Sequence, residues 1–278
     1  MGRLSIKSFR GTAAHYAAGG GRFLVDDSRY LILNDGQSYE IHVEGEPVAV
    51  SFCVFFPPGF VEEVQRSLTA GPPQLLDAPL AEGLPALRFF ERTYPHDDVV
   101  SPALRRLEAG YAARKHDPGW LEERLHDLAE RLLERHRATR AEAGLLAAVR
   151  ASTREELYRR LHRARDYARS CYDRALSLGE LSRVACLSPN HLLRHYRGLF
   201  GRTPHQELIE RRLEVARELL RRTDRPVTEV CAAVGFESLG SFSRTFSRRV
   251  GASPLAYRAA QKVISEKQPR AGPATFRV

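Results

Sequence analysis

Two similar sets of side chains in this sequence are suited to binding a polyanion. Arg194 and Arg244 lie 50 residues apart, and each follows a serine, Ser188 or Ser238, by 6 residues. A guanidinium group offers a planar fork of donors that fits phosphate oxygens and the N7 and O6 acceptors of guanine. The chemistry that this pattern favours is therefore hydrogen bonding to a nucleic acid.

These residues belong to an internal repeat. Residues 178–187 match residues 227–236 at an offset of 49, and after one inserted residue, Glu237, residues 188–204 match residues 238–254 at an offset of 50. Each copy predicts a short helix, a tight turn, a serine at a helix N-cap and a second helix that ends at Gly201 or Gly251. This order of elements is that of a helix-turn-helix unit.

The second helix of each copy has one apolar face and one polar face. Its apolar residues have the spacing that packs against the first helix: Leu192, Tyr196 and Leu199 in one copy, and Phe242, Phe246 and Val250 in the other. The remaining face is basic or polar and carries Asn190, His191, Arg194 and Arg197 in the first copy and Ser241, Ser243, Arg244, Arg248 and Arg249 in the second. In a helix-turn-helix unit, this is the face that enters a major groove.

The segment between the two copies predicts one long helix. Pro204 suits the first turn of a helix, and apolar residues recur at helical spacing up to Arg222. Such a helix is about 28 Å long, which is close to the ~34 Å that separates successive major-groove segments on one face of a duplex. We therefore expect one chain to bind two successive segments, although an α-helical interaction domain would have the same apolar pattern.

The charge is distributed unevenly along the 278 residues, whose net charge is +9. Residues 1–150 hold 18 basic and 21 acidic side chains, whereas residues 151–278 hold 25 and 13, a net charge of +12. A GC-rich genome could explain why only four of the 43 basic residues are lysine, but it does not explain why the surplus lies in one half. The C-terminal half is the one expected to bind a polyanion.

The N-terminal region, residues 22–94, has the pattern of short β-strands. Residues 29–33 and 38–43 flank Asn34, Asp35 and Gly36, which predicts a hairpin, and residues 48–56 predict a further strand. We expect a small antiparallel sheet or barrel here. A cluster of four phenylalanines in this region favours a core over an effector pocket: Phe52, Phe55, Phe56 and Phe60.

From residue 102 onward the periodicity is helical. Between Trp120 and His136 an apolar stripe recurs at spacings of 4, 3 and 4, formed by Leu121, Leu125, Leu128 and Leu132. This stripe could form a homodimer through residues 119–137, or it could pack on its own β-domain; the sequence does not decide between them. Residues 158–176 predict another amphipathic helix, at the start of the basic half.

The fold class predicted is thus α+β, with four parts. We expect a β-rich regulatory domain in residues 1–100, a helical linker or dimerisation region in 101–155, the double helix-turn-helix domain in 156–262 and a flexible tail in 263–278. No segment has the length and apolarity of a membrane span or the pattern of a signal peptide, so we expect a cytoplasmic protein. The four cysteines form no C-x-x-C pair, which argues against a zinc ribbon.

Residues 161–258 resemble the AraC/XylS family of bacterial transcription regulators. The most specific part is residues 234–258, which begin Val234-Gly235-Phe236-Glu237-Ser238 and end Tyr257-Arg258. The resemblance implies a seven-helix domain with two helix-turn-helix units that binds asymmetric double-stranded DNA, usually as an activator that contacts RNA polymerase. It also implies an N-terminal domain, often cupin-like, for an effector or for dimerisation.

By their place in the family motif, two sets of residues are the candidate DNA contacts. The base-reading set is Asn190, Leu193, Arg194, Leu239, Gly240, Ser243 and Arg244. The phosphate-binding set is Ser188, His191, Arg197, Ser238, Arg248 and Arg249. Leu193 offers only an apolar contact, for instance to a thymine methyl, and Gly240 offers only its backbone, so Arg194 and Arg244 are expected to carry much of the direct readout.

The first turn departs from the family pattern, because Cys186 stands where the second copy has Gly235. We favour a buried structural thiol at Cys186 over a redox sensor, since no second cysteine or cationic residue lies nearby in the sequence.

The N-terminal domain shows no His-x-His motif followed by glutamate, so neither a cupin metal site nor a cofactor is expected. The isolated histidines are interpreted as surface or packed imidazoles: His15, His42 and His96. The segment from Pro95 to Asp98 is interpreted as a solvated turn rather than a binding loop.

Two other functions are alternatives to a DNA-binding regulator. A cupin-like enzyme with an accessory helical domain requires a cluster of acid, base or metal-binding residues, and the sequence offers no compact candidate. A protein-interaction adaptor would dock its exposed helices on a protein. We therefore predict a regulator without catalytic residues.

Overall fold

A computed structural model describes residues 2–43, 50–70, 86–114, 116–146 and 150–267. Seven strands form two sheets in which every pairing is antiparallel. The strands are β1 (Ser5–Arg10), β2 (Ala14–Ala18), β3 (Gly21–Val25), β4 (Arg29–Leu33), β5 (Tyr39–Val43), β6 (Val50–Phe55) and β7 (Thr93–Pro95). The larger sheet has the order β6-β1-β4-β7, and the smaller has the order β3-β2-β5.

Ten helices follow or interrupt these strands within the described residues. Those of the N-terminal half are α1 (Phe60–Thr69), α2 (Val100–Arg114) and α3 (Pro118–Gly144). Those of the C-terminal half are α4 (Ala151–Ser170), α5 (Leu178–Val184), α6 (Pro189–Phe200), α7 (Pro204–Arg222), α8 (Val227–Ala233), α9 (Leu239–Val250) and α10 (Pro254–Lys267). The α+β class, with antiparallel sheets before a helical C-terminal region, is confirmed.

The predicted hairpin between β4 and β5 is wrong. The turn itself exists, since the Gln37 amide donates to the Asn34 carbonyl at 3.3 Å and Gly36 has a φ of 75°. However, β4 pairs with β1 and β7, whereas β5 pairs with β2 in the other sheet. The Asn34 side chain accepts from the Phe89 amide at 2.8 Å and donates to its carbonyl at 3.1 Å, which ties the turn to the segment before β7.

The apolar stripe of α3 packs on the β-domain of the same chain. Leu128 and Leu132 are fully buried beside Ile6, Tyr30 and Val54 of the larger sheet. Leu121 and Leu125 pack partly buried against the same core. Of the two alternatives for this stripe, the described residues show packing on the chain's own β-domain; a homodimer through residues 119–137 stays a prediction.

The phenylalanine cluster is mostly core, as expected. Phe56 is buried, and Phe52 and Phe60 pack against it and its neighbours. Phe55 differs: it is 48% exposed, and the ammonium of Lys7 lies 3.8 Å from its ring centroid.

The segment from Pro95 to Asp98 is a turn that starts α2. The Asp97 carboxylate accepts from the Val100 amide at 2.8 Å and from the Val99 amide at 3.2 Å. Such bonds satisfy amides that have no partner within the helix. The interpretation as a turn, rather than a binding loop, agrees with this geometry.

The C-terminal half contains two cores. One joins α4, α5 and α6 to Phe90 and to the end of α3, and the other lies among α7, α8, α9 and α10. Helix α4 begins at Ala151 and ends at Ser170, so the helix predicted over residues 158–176 is shifted. Helix α10 continues to Lys267, into the predicted flexible tail, and residues 268–278 lie outside the described part. Among the described helices, none has the length and apolarity that a membrane span requires.

Candidate nucleic-acid interface

The first helix pair, α5 and α6, is built from local signals that the sequence carries. The Ser188 hydroxyl accepts from the His191 amide at 3.4 Å, so it caps α6 as predicted. Leu192 and Tyr196 are fully buried. Helix α6 ends at Gly201 with a φ of 67°, a left-handed conformation that glycine adopts without strain.

The second helix pair, α8 and α9, repeats this construction. The Ser238 hydroxyl accepts from the Ser241 amide at 3.3 Å. Phe242 and Phe246 are fully buried, and α9 ends at Gly251 with a φ of 84°. The caps, the buried positions and the terminal glycines were all predicted from the repeat.

The turns inside the two pairs differ. Gly235 has a φ of 77°, and a Cβ there would lie 2.7 Å from the carbonyl oxygen of Asp173. Cys186 has a φ of 50° and is the one non-glycine residue with positive φ in the described part of the chain. Its thiol is exposed, so the prediction of a buried structural thiol is wrong. The first turn leaves room for a side chain, and the Arg160 guanidinium donates to the Cys186 carbonyl at 3.2 Å.

The candidate base-reading residues lie on the side of α6 and α9 away from the buried apolar residues. Asn190, Arg194, Gly240 and Arg244 are exposed, and so is Leu239, by 43%. The other two, Leu193 and Ser243, are half-buried. Both arginines thus present a guanidinium to solvent from equivalent positions.

The candidate phosphate contacts are of three kinds. Ser188 and Ser238 are exposed, and their oxygens cap helices, which leaves the hydroxyl proton free to donate. Exposed cationic or imidazole groups form the second kind: His191, Arg197 and Arg248. The third kind is a cation that already has an ion-pair partner. The Arg249 guanidinium lies 3.1 Å from a Glu210 carboxylate oxygen, so its charge is partly neutralised.

One histidine of α6 is held neutral. Burial lowers the pKa of His195, and the neighbouring charges of Arg194 and His191 lower it further. The ring of His195 lies 6.2 Å from that of His191. At neutral pH, His195 therefore adds a hydrogen-bonding group but no charge to this helix face.

Helix α7 connects the two pairs over the residues that the sequence predicted, Pro204–Arg222. A capping box starts it: the Thr203 hydroxyl accepts from the Gln206 amide at 3.2 Å, and the Gln206 side chain accepts from the Thr203 amide at 2.9 Å. Leu213, Ala216 and Leu220 anchor α7 in the core of the second pair.

A cleft of about 490 Å³ beside α9 was not predicted. Its lining combines His205 and Gln206 at the start of α7 with Ser241, Thr245 and Arg248 of α9. Two helix N-termini meet there, because α7 begins at Pro204 and α9 at Leu239. The capping box at Thr203 was the sequence signal for the first of these N-termini; their proximity depends on tertiary packing.

No group of three or more histidine, cysteine, aspartate or glutamate side chains that could hold a metal ion occurs within the described ranges. The side chains on this face carry guanidinium, imidazole, hydroxyl and amide groups, which bind anions and base edges.

Residues 181–260 match the profile of a family described as a helix-turn-helix domain. This is an AraC-type domain. Over 92 residues the chain is 38% identical to the MmsAB operon regulatory protein of Pseudomonas aeruginosa, and 34% identical to a protein of Photobacterium leiognathi named "Probable transcriptional regulator LumQ". Each match covers 33% of this chain, and they cover 30% and 37% of those two relatives.

Among solved structures, the DNA-binding domain of AdpA, crystallised with a target DNA, is similar to the AraC-type domain. It is 31% identical, covers 39% of this chain and 97% of that domain, and has a TM-score of 0.37. Each of these matches covers well under half of this chain, and the chain spans well under half the length of the two curated relatives.

Proposed function

We propose that this protein is a sequence-specific DNA-binding transcriptional regulator. The observation that carries the proposal is the matched exposure of Arg194 and Arg244, each on the polar face of the second helix of a capped helix pair. The AraC-type domain and its similarity to named regulators support it.

In this proposal each helix pair is a helix-turn-helix unit whose second helix enters a major groove. Arg194, with Asn190 beside it, and Arg244 donate to base edges, while Leu193 and Leu239 contact thymine methyl groups. Arg197, Arg248 and the N-termini of α6 and α9 bind phosphates and fix the position of the domain without reading sequence.

The proposal also assigns a role to the β-domain and a mode of regulation. We propose that the β-domain is cupin-like and receives a small-molecule effector, and that the regulator is an activator that contacts RNA polymerase. The two antiparallel sheets support the cupin-like architecture, because an apolar core that includes Phe9, Tyr16 and Leu31 lies between them. A homodimer through residues 119–137 would have to use side chains other than Leu128 and Leu132, which are fully buried within the chain.

The experiment that tests the proposal selects duplexes from a random-sequence library with the full-length protein. The recovered duplexes should share a motif. Arg194→Ala and Arg244→Ala should each weaken binding to a recovered duplex about ten-fold or more, because one good bidentate contact is worth about 1–3 kcal/mol. The matched control is Arg131→Ala, which removes an exposed arginine of α3 that pairs with Asp127 and Glu134.

Affinity should also fall linearly with salt concentration on logarithmic axes, because neutralised phosphates release counterions. Recovery of no motif, together with unchanged affinity for Arg194→Ala and Arg244→Ala, would favour a protein-interaction adaptor and reject sequence-specific regulation.

A further inference from the structure

The two helix pairs are attached to the β-domain in different ways. The first pair shares an apolar core with Phe90, which lies just before β7. Buried hydrogen bonds reinforce this joint: the Asp166 carboxylate of α4 accepts from the Thr93 hydroxyl at 2.5 Å and from the Thr93 amide at 3.0 Å. The core of the second pair, in the described part of the chain, consists of residues from α7 to α10 only.

Helix α7 has two opposite faces. Leu213, Ala216 and Leu220 form the apolar face in the core of the second pair. The opposite face is charged and borders the β-domain. It consists of four residues at spacings of 3, 4 and 4: Arg211, Glu214, Glu218 and Arg222. The second pair therefore meets the β-domain through charges.

An ion-pair chain crosses this joint. The Arg211 guanidinium lies 2.8 Å from Asp26, in the turn between β3 and β4, and 3.3 Å from Glu214. Glu214 in turn lies 2.9 Å from Arg169 of α4. The side chains of Arg211 and Asp26 are only 8% and 16% exposed, so the pair is largely shielded from solvent.

Asp26 is fixed as an anion in this chain. Burial opposes its ionisation, but Arg211 and two hydrogen bonds from Ser28 lower its pKa below the ordinary value. The Ser28 amide donates to Asp26 at 2.9 Å and the Ser28 hydroxyl at 2.5 Å. These bonds hold the carboxylate toward α7.

A second, weaker ion pair lies at the end of α7, where Arg222 is 3.6 Å from Asp27. An open cleft of about 650 Å³ lies beside both pairs and is lined by the turn at Asp26 and Asp27 and by α7. The contact between α7 and the β-domain thus combines an open cleft with one largely buried ion pair.

We propose that the chain Asp26–Arg211–Glu214–Arg169, here called the brace, fixes the second helix pair relative to the first. The inference rests on the proposed function, because it states what the brace does for DNA binding: it holds α6 and α9 in the register that one duplex requires. The brace leaves Arg194 and Arg244 exposed, so it does not cover the side chains proposed to contact bases. Breaking a buried ion pair leaves an uncompensated charge, which loosens the joint.

The first test measures the joint without DNA. Spin labels are placed on full-length protein at Arg22→Cys of β3 and Ala232→Cys of α8, both exposed, with Cys53→Ser and Cys186→Ser to remove the accessible native thiols. Pulsed electron resonance then gives the distance distribution between the labels. One narrow distribution is expected for the parent, and a broad one for Arg211→Ala and for the near-isosteric Asp26→Asn.

The matched control is Arg221→Ala, which removes an arginine of α7 whose ion pair is with Glu218 of the same helix. Its distribution should stay narrow. A narrow, unchanged distribution in both Arg211→Ala and Asp26→Asn overturns the brace. Since the measurement needs no DNA, this result is independent of whether the protein is a regulator.

The second test uses a duplex recovered by selection and a version in which the segment bound by α9 is scrambled. Arg211→Ala should weaken binding to the intact duplex about ten-fold, because linked binding modules gain affinity only when both can engage. Binding to the scrambled duplex should not change. A gain in affinity for the intact duplex would overturn the brace and show that the contact is inhibitory.

Discussion

The first and second helix pairs come from one repeat, yet they are held in the molecule by different forces. Phe90 enters the core of the first pair. In α4, Asp166 forms a hydrogen bond with Thr93, and His162 forms one with Arg92. The second pair meets the β-domain through Asp26 and Arg211. Two units with the same internal packing can therefore have joints of different strength and different sensitivity to solvent.

In the proposed regulator, the first reading helix would be joined to the N-terminal domain by an apolar core and the second by a polar contact. The first joint combines apolar burial with buried hydrogen bonds, whereas the second depends on a largely buried ion pair beside an open cleft. Four predictions test this comparison.

The largest effect is expected at the apolar joint. Phe90 is buried between the rings of His136 and Tyr158, at centroid distances of 6.2 Å and 4.9 Å. Phe90→Ala should lower the free energy of unfolding by about 3–5 kcal/mol, since it removes a buried ring and leaves a cavity. Chemical denaturation measures this. The control, Phe55→Ala, changes an exposed ring and should cost much less; equal losses would refute the apolar joint.

Acid should weaken the apolar joint before the brace. Burial lowers the pKa of His136 from 6.5 to about 4, so the folded state resists its protonation. The contribution of neutral His136 to the free energy of unfolding is fully present above pH 6.5. It is lost as the pH falls from 6.5 toward 4, by about 3 kcal/mol in total. His162 is shifted in the same direction by burial and by Arg92.

The brace responds at lower pH. Arg211 and Arg169 lower the pKa values of Asp26 and Glu214, despite the opposing effect of burial. The brace therefore stabilises the fold at any pH above the ordinary pKa values of the two carboxyl groups. This stabilisation is lost only as the pH falls below those pKa values. The test measures the free energy of unfolding of the parent and of His136→Leu between pH 7 and pH 4. The variant should lose less stability on acidification, and His42→Gln should behave as the parent; an identical acid loss in His136→Leu contradicts the account.

The two turns should differ in their tolerance of a side chain. Gly235→Ala should destabilise the protein by about 1–3 kcal/mol, because the backbone has positive φ and the Cβ would meet the Asp173 carbonyl. Cys186→Ala keeps a Cβ where one is already accommodated and should cost less than about 1 kcal/mol. Thermal unfolding compares them. Similar losses for both variants would show that the turns are equivalent after all.

The smallest effect should be the same in both pairs. Ser188→Ala and Ser238→Ala each remove an N-cap and should cost about 1 kcal/mol. The glycine variants at these positions should cost only a few tenths of a kcal/mol. A clear difference between the two alanine variants would mean that the helix pairs also differ internally.

Local features of the fold could be predicted from the sequence, and long-range pairings could not. Helix α7 was predicted at both ends, because Pro204 and the apolar spacing are signals within a few residues. The caps at Ser188 and Ser238 follow from the same short-range chemistry. Alternating residues and a turn also predicted β4 and β5, but periodicity does not say with which strand each one pairs.

The candidate site shows the same limit. Exposure of Arg194 and Arg244 follows from helical periodicity within the repeat. The pairing of Asp26 with Arg211 joins residues 185 positions apart, and no local pattern marks it. The exposure of Cys186 depends on the neighbours of one turn, which differ between the copies although the sequence pattern is shared.

The most direct test of DNA binding through two helix pairs is a hydroxyl-radical footprint of the full-length protein on a selected duplex. The account predicts two protected segments on one face of the duplex, with centres about 10 base pairs apart, and Arg244→Ala should lose protection in one of them only. A single protected segment with the parent protein, or loss of both segments together in Arg244→Ala, would contradict it.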